Sequence, residues 1–187
     1  MHFPSASHHH QDDQASPHPP QYQAPPPAGF RIPLERNVPF PPREVACDAP
    51  CRDLDGSPVY FGSALFASSV HPCKIAPHID PPCRVPYGGG EREHRERYDL
   101  LPFTHDMELV PTSGGRIPPG RRPVEGGYEE PQQGRPGQKL YHGVARHRHD
   151  NHTVLVPGKV GEHLGGCNYA FANEEHFTAE YELLCWR

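Results

Sequence analysis

The chain has 187 residues, of which 26 are proline and 18 are glycine, while 34% are hydrophobic and 9% aromatic. Proline inside a helix costs about 3 kcal/mol, so this composition excludes a long helical bundle. A membrane-spanning helix needs about 20 consecutive apolar residues, which no stretch supplies, and we expect no transmembrane segment. The net charge of −5 gives no electrostatic reason to expect nucleic-acid binding. The fold class that remains is one of short strands joined by turns.

The N-terminal segment has a composition of its own. Residues 1–29 are rich in proline and histidine and poor in side chains that form a core, which predicts a disordered tail. The segment lacks the basic and apolar regions of a secretory signal, which favours a cytoplasmic protein, with non-classical release left open. We therefore expect one folded domain over residues 30–187.

Six cysteines would permit 15 pairings, but a chain without a secretion signal keeps its thiols reduced, so we expect free thiols. Cys47 and Cys51 could form half of a zinc site, with Cys73 and Cys83 as the other half. The spacing is irregular, however, and favours small buried side chains in strands.

The sequence contains an internal repeat with a period near eighty residues. Residues 59–64 (Val-Tyr-Phe-Gly-Ser-Ala) match residues 140–145 (Leu-Tyr-His-Gly-Val-Ala). Four more matches follow in the same order: 71–75 with 156–160, Cys83 with Cys167, 87–91 with 171–175, and 98–101 with 181–184. Ordered matches of this kind indicate duplication, with repeat one over about residues 38–103 and repeat two over about 104–187.

Each repeat is predicted to be built from strands. Short runs of aromatic and branched residues alternate with segments rich in proline and glycine. Gly62 and Gly143 stand in the middle of equivalent strands, where a ring or another backbone is expected close by. One repeat alone would bury too little surface, so we predict an all-β fold, an antiparallel β-sandwich in which two pseudo-twofold-related repeats share one core.

The order of these motifs over residues 38–187 resembles the DM-nine (DM9) repeat family. The motifs are Tyr-x-Gly-x-Ala, a Pro-Gly-Lys segment interpreted as a turn, aromatic-Gly-Gly-x-Glu, and a closing Tyr-Glu-x-Leu, with the matches described above in both repeats. Family members of this size are compact β-sandwich lectins. The characterised molluscan members bind mannose through an acidic side chain and the lysine of the Pro-Gly-Lys segment, so the resemblance implies a mannose-binding protein.

The resemblance assigns a sugar-binding pair to each repeat, Asp53 with Lys74 and Glu129 with Lys159. A carboxylate that accepts from two vicinal hydroxyls, with an ammonium that donates to both, would fix one stereochemistry through charge-assisted hydrogen bonds. A single shallow site of this kind binds near the millimolar level, about 4 kcal/mol. Two sites per chain or a homodimer would then be needed for useful affinity.

Both repeats depart from the family pattern. In repeat one, Cys51-Arg52 stands where the family has Gly-Tyr, and Cys73 replaces the glycine before Lys74. Repeat two has Glu in place of Asp and an apparent insertion at residues 132–137. If the replaced glycine supplies a positive φ, cysteine is strained there, and one of the two sites would be inactive.

Three acidic residues have competing structural interpretations. Asp53 begins the turn sequence Asp-Leu-Asp-Gly-Ser, in which it would cap its own backbone. Glu91 and Glu175 occupy equivalent places after turns and are interpreted as acceptors for backbone amides. They rank below the lysines as ligand-binding candidates.

A histidine cluster offers an alternative site. His147 and His149 would lie on one side of a strand, where with His142 and His152 they could chelate a transition metal. Repeat one has no histidine at these positions, which favours a polar exposed loop. The chain has no nucleophile elbow, zinc-protease motif or P-loop, so we expect no enzyme, no cofactor and no metal.

Two functions from different classes follow. The resemblance favours a lectin-like protein for mannose or mannose-rich glycans. The alternative is a non-catalytic interaction scaffold, in which the tail recruits partners and the sandwich binds protein or lipid headgroups.

Overall fold

The computed structural model describes residues 26–187. Nearly all of its regular secondary structure is antiparallel β-strand, which confirms the predicted all-β class. Most of the predicted disordered tail, residues 1–25, lies outside the described residues. Within residues 26–187, no helix has the length and apolar character needed to cross a membrane.

The first half contains a short helix and seven strands: β1 (Ile32–Leu34), α1 (Arg43–Ala46), β2 (Cys51–Arg52), β3 (Pro58–Leu65), β4 (Val70–Ile75), β5 (Cys83–Tyr87), β6 (Gly90–His94) and β7 (Tyr98–Leu101). The second half contains eight strands: β8 (Met107–Ser113), β9 (Arg122–Pro123), β10 (Glu125–Tyr128), β11 (Lys139–His149), β12 (His152–Gly161), β13 (Gly166–Phe171), β14 (Glu174–Thr178) and β15 (Glu180–Trp186). A 3-10 turn, Glu162–Leu164, links β12 to β13.

Strand register shows the repeat directly. Tyr60 of β3 pairs with Ile75 of β4, and Tyr141 of β11 pairs with Val160 of β12. Three further pairs also occupy corresponding register positions in the two repeats: Cys83 with Cys167, Glu91 with Glu175, and Tyr98 with Tyr181. The matches found in the sequence are therefore structural equivalences.

The predicted sandwich of two separate sheets is wrong, because the strands form one continuous sheet. β6 of the first repeat pairs with β14 of the second through Gly90 and Glu174. On the other side, β10 pairs with β11 and also with β4, where Tyr128 lies opposite Val70. These two junctions close the sheet on itself. Closure covers strand edges that a sandwich would leave exposed to other chains.

The core consists of one apolar cluster in each repeat and a third shared between them. Tyr60 and Ala64 belong to the cluster of repeat one, whereas Phe61, between them in β3, belongs to the shared cluster. Alternating side chains of one strand thus pack on both sides of the sheet. Val144 of β11 joins Phe61 in the shared cluster, so the two repeats are stabilised together.

The glycines in the middle of β3 and β11 lie against close neighbours. A Cβ added at Gly62 would overlap the Ile75 side chain, and one at Gly143 would overlap that of Val160. The nearest neighbour is thus an aliphatic side chain of the adjacent strand. At Gly143 the Glu182 carbonyl (3.1 Å) and the Tyr181 ring (3.5 Å) would also lie close, as the sequence suggested, whereas at Gly62 neither a ring nor a backbone atom is among the nearest neighbours.

The Pro-Gly-Lys segment is not a turn. Residues 72–74 lie within β4 and residues 157–159 within β12, and Gly158 has no positive φ. Cys73 is therefore not strained, contrary to the expectation. A Cβ at Gly158 would approach Cys167 Sγ to 2.6 Å and the Asn168 carbonyl to 2.7 Å, so contact with β13 requires glycine here.

The folded domain includes residues that precede its predicted start at residue 30. The Pro27 carbonyl accepts hydrogen bonds from Trp186 Nε1 (3.2 Å) and from the Glu125 amide (3.0 Å). Gly29 packs beside Leu101 and Trp186. Residues 26–29, predicted to belong to the tail, therefore form part of the folded domain.

The six cysteines are free thiols. The two cysteine pairs that the alternative zinc site would combine lie in different places. Cys73 and Cys83 lie together in the cluster of repeat one, with their sulfurs 3.5 Å apart. Cys51 lies in the shared cluster, and Cys47 follows the end of α1. Within residues 26–187, no group of three or more His, Cys, Asp or Glu side chains is arranged to hold a metal ion.

Candidate functional site

The two predicted lysines are buried between the repeats. Lys74 is 8% exposed and Lys159 is 5% exposed. Lys74 Nζ donates to the Ala170 carbonyl of repeat two (2.7 Å), and Lys159 Nζ donates to the Pro86 carbonyl of repeat one (2.8 Å). A buried ammonium needs such partners. Each lysine therefore crosses from its own repeat to the equivalent strand of the other.

An aromatic ring from the opposite repeat completes each lysine site. Lys74 Nζ lies 5.5 Å from the centroid of the Phe171 ring, and Lys159 Nζ lies 5.6 Å from that of Tyr87. Both distances are within the range of cation–π attraction. The two candidate sites are thus composite and are related by the pseudo-twofold symmetry.

Burial and neighbouring carboxylates act in opposite directions on both lysines. Burial lowers the pKa of Lys74, while Glu91 and then Asp53 act to raise it. Burial likewise lowers the pKa of Lys159, while the charges of Glu175 and Glu129 raise it. The predicted acidic partner is therefore within electrostatic range of its lysine in each repeat.

Asp53 has both the turn role and a position in the site. Its Oδ1 accepts a hydrogen bond from the Leu54 amide (2.8 Å), which confirms the predicted capping interaction. Its Oδ2 accepts a hydrogen bond from His78 Nε2 (2.9 Å). One carboxylate oxygen thus holds the turn, and the other is oriented by a histidine.

Repeat two has the same acid–histidine pair. Glu129 Oε1 accepts from Nε2 of His163, which lies in the 3-10 turn after β12 (3.1 Å). His78 and His163 each stand four residues after the lysine of their repeat. Sequence reasoning missed both residues, although the shared Lys-x-x-x-His spacing is a usable signal.

Asp53 and Lys74 meet on the surface of one small cavity. Val59 and Phe171 contribute to its wall, as do residues 154–156 of β12. Its volume is about 10 Å³, the space of about one water molecule. The structure therefore brings together the predicted pair of repeat one, across strands of both repeats. For the predicted pair of repeat two, the charge of Glu129 acts to raise the pKa of Lys159.

The two glutamates of lower rank differ from each other. Glu175 Oε1 accepts from the Gly89 amide in the opposite hairpin turn (3.2 Å), as predicted for a backbone acceptor. Glu91 instead lies 3.4 Å from Lys74 Nζ and 3.8 Å from Arg84 Nη1. It serves as the counter-ion of the buried lysine.

The histidines of repeat two lie on strands and not in a loop, although His149 and His152 are exposed, as the sequence favoured. His142 is fully buried in β11, and burial lowers its pKa well below the ordinary value. His147 and His149 lie on one side of β11, as predicted, with ring centroids 6.4 Å apart. The His147 ring also packs 4.3 Å from that of Phe171. Extension of β11 through His149 places these residues on a strand.

A partly buried arginine that the sequence did not single out joins the repeats near His142. Arg31 donates to Ser63 Oγ (2.9 Å), the Glu125 carbonyl (2.7 Å) and His142 Nε2 (3.0 Å). Burial lowers the pKa of Arg31 to about 10. Its partners are distant in sequence, so no local motif reveals this position.

The sequence matches the model of the DM9 repeat over residues 53–178. This range contains both acid–lysine pairs and the two histidines, His78 and His163, that bind their carboxylates. Comparison with curated proteins gives no match. The match covers more than half of the chain, which therefore belongs to the DM9 repeat family, known for lectin-like, carbohydrate-binding repeats.

Proposed function

We propose that this protein is a non-catalytic lectin for mannose or mannose-containing glycans, with Asp53 and Lys74 as its principal binding pair. The observation that carries the proposal is their convergence on one cavity in a member of the DM9 repeat family. Glu129 and Lys159 form the proposed second site. The activity is binding alone and needs no cofactor.

Both side chains of the principal pair keep unused hydrogen-bonding capacity. Lys74 has three N–H donors, one directed to the Ala170 carbonyl and one towards Glu91. A carboxylate has about four acceptor sites, of which Asp53 uses two. One donor and two acceptors remain for vicinal hydroxyls of a sugar.

The size of the cavity determines how a sugar enters. Space for about one water molecule admits a hydroxyl group but not a pyranose ring. The hydroxyl edge would therefore displace water between Asp53 and Lys74, while the ring stays at the surface. Such a shallow contact gives weak affinity, near the millimolar level, so two sites per chain or a homodimer would raise avidity.

The test is a calorimetric or NMR titration with mannose, with galactose as the stereochemical control. Asp53→Asn keeps the shape of the side chain and removes its charge, and we expect it to weaken mannose binding by about tenfold or more. Glu129→Gln is the matched variant of the second site. Lysine variants are poorer probes, because the loss of an interaction between the repeats would also lower stability.

Two outcomes would contradict the proposal. One is a failure of the unaltered protein to bind mannose or mannan at high protein concentration. The other is unchanged mannose affinity in a folded double variant, Asp53→Asn with Glu129→Gln. In either case, binding of protein or lipid headgroups becomes the better hypothesis.

A further inference from the structure

A larger groove lies beside Asp53 in repeat one. It has a volume of about 630 Å³ and lies between residues 50–54, around β2, and residues 149 and 152–155 of the β11–β12 hairpin. Asp53 and residues 154–155 line both this groove and the small cavity that contains Lys74. The groove is therefore a continuation of the proposed sugar site.

The equivalent position in repeat two is closed by strand pairing. There β10, which precedes Glu129, pairs with β4 through Tyr128 and Val70, and Glu130 accepts from Ser68 Oγ (2.8 Å). By the repeat register, Arg52 and Leu155 are the counterparts of Tyr128 and Val70. In the described part of the chain, β2 pairs with β3 alone. Arg52 and Leu155 are therefore not paired with each other, and both line the groove.

The hairpin that forms the outer wall is longer in repeat two. Ala64 pairs with His71, seven positions on, whereas Ala145 pairs with Val156, eleven positions on, four residues more. The added residues lengthen the hairpin, and its last register pair, His149 with His152, lines the groove. Insertion into one repeat thus enlarges the site of the other.

The groove offers both kinds of contact that a pyranose ring uses. Arg52, Thr153 and the two histidines supply hydrogen-bonding groups around Asp53. Leu54, with 48% of its surface exposed, and Leu155 supply apolar surface for the C–H face of a ring. The carboxylate of Asp53 disfavours a phosphate or another anion there. The volume is in the range of small-molecule sites.

We propose that this groove is an extended subsite, present in repeat one alone, which binds the next sugar residue of an oligosaccharide whose terminal mannose occupies the Asp53–Lys74 site. The inference rests on the proposed function and adds the ligand class, an oligosaccharide rather than a monosaccharide. It also makes the two sites of the chain unequal.

The experiment compares the affinities of mannose and α-linked mannobiose by calorimetry, in a Glu129→Gln background that isolates the first site. We expect the disaccharide to bind about tenfold more tightly than mannose. Replacement of Arg52, His152 and Thr153 by alanine together should reduce this ratio to below about twofold. These side chains are exposed, so folding should be retained. Arg148→Ala, on the same hairpin but outside the groove, is the matched control and should keep the ratio.

The outcomes distinguish the two proposals. Equal affinities in the background protein, or a ratio that persists in the triple variant, would overturn the extended subsite and leave the lectin function standing. Failure of both sugars to bind would overturn both. A reduced ratio in the triple variant, with Arg148→Ala unchanged, would support the subsite.

Discussion

Two buried histidines connect the stability of the protein to pH. His71 is 2% exposed, and burial, reinforced by the charge of Lys159 and opposed by that of Glu129, lowers its pKa to about 4. Burial and the charge of Arg31 also lower the pKa of His142, well below its ordinary value. Arg31 donates to the ring of His142, which therefore accepts as a neutral imidazole. Protonation of either ring opposes the folded state.

We therefore predict that the protein loses stability as the pH falls below about 6.5. Between that value and the lowered pKa of each folded-state ring, the unfolded chain binds more protons, so each histidine reduces the free energy of unfolding by up to about 1.4 kcal/mol per pH unit. Urea unfolding at pH 7.5, 6 and 5 measures the effect.

A matched variant identifies the source of this pH dependence. His71→Gln should flatten part of it, because glutamine can keep a bond to Ser69 without titrating. His105→Gln, at an exposed position, should leave the slope unchanged. A free energy of unfolding that stays constant from pH 7.5 to 5 would contradict the assignment.

The family pattern indicated Asp53 and Lys74 as candidate site residues, because each keeps its place in an ordered motif. It did not indicate the histidines and the arginine around them. His78 shares the spacing of His163, but a lone histidine after a strand carries little meaning until its carboxylate partner is seen. Arg31 lay beyond prediction, because its partners come from strands 32 to 111 positions away.

At the level of strands, the prediction failed where proline and glycine normally indicate turns. The Pro-Gly-Lys segment lies in a strand because its neighbours alternate towards core clusters on both sides, which outweighs the local preference for a turn. The Gly88-Gly89 turn was predictable, since both residues adopt the positive φ that a two-residue hairpin requires.

Close contact between β12 and β13 makes the glycine of this segment sensitive to substitution. We predict that Gly158→Ala lowers the free energy of unfolding by about 1–3 kcal/mol, because a Cβ would press on Cys167 and on the Asn168 carbonyl. Thermal unfolding measures the loss.

The equivalent position in repeat one supplies the control. Cys73 already carries a Cβ, with its sulfur 3.5 Å from that of Cys83, so Cys73→Ala should cost less than Gly158→Ala. If both variants unfold at the temperature of the unaltered protein, the contact between β12 and β13 does not require glycine at position 158.

Closure of the sheet makes the two repeats one cooperative unit. The sequence predicted the shared core from the small size of a single repeat, and the shared cluster around Phe61 and Val144 confirms it. The sequence could not predict the closure itself. β10 pairs with β4 through one register position, Tyr128 with Val70, and no sequence motif indicates this pairing.

Separate repeats should consequently not fold. We predict that a fragment of residues 26–103 is unfolded, because it loses the shared cluster and leaves Lys74 without the Ala170 carbonyl. Far-ultraviolet circular dichroism and amide NMR dispersion provide the measurement.

A mixture of complementary fragments tests the same point in reverse. Addition of a fragment of residues 104–187 should restore strand signal, since each repeat supplies the carbonyl that the other's lysine requires. A well-dispersed spectrum from either fragment alone would show that a repeat is stable by itself.

The hydrogen bond that each lysine donates to the other repeat also bears on how a duplicated gene can diverge. Lys74 and Lys159 donate to main-chain carbonyls, at Ala170 and Pro86, and every amino acid provides such a carbonyl. Substitutions at these acceptor positions can therefore accumulate without removal of the acceptor. The two copies of an ancestral repeat could become as different as these are while their mutual attachment persisted, which leaves the surface around each lysine free to change independently of the other.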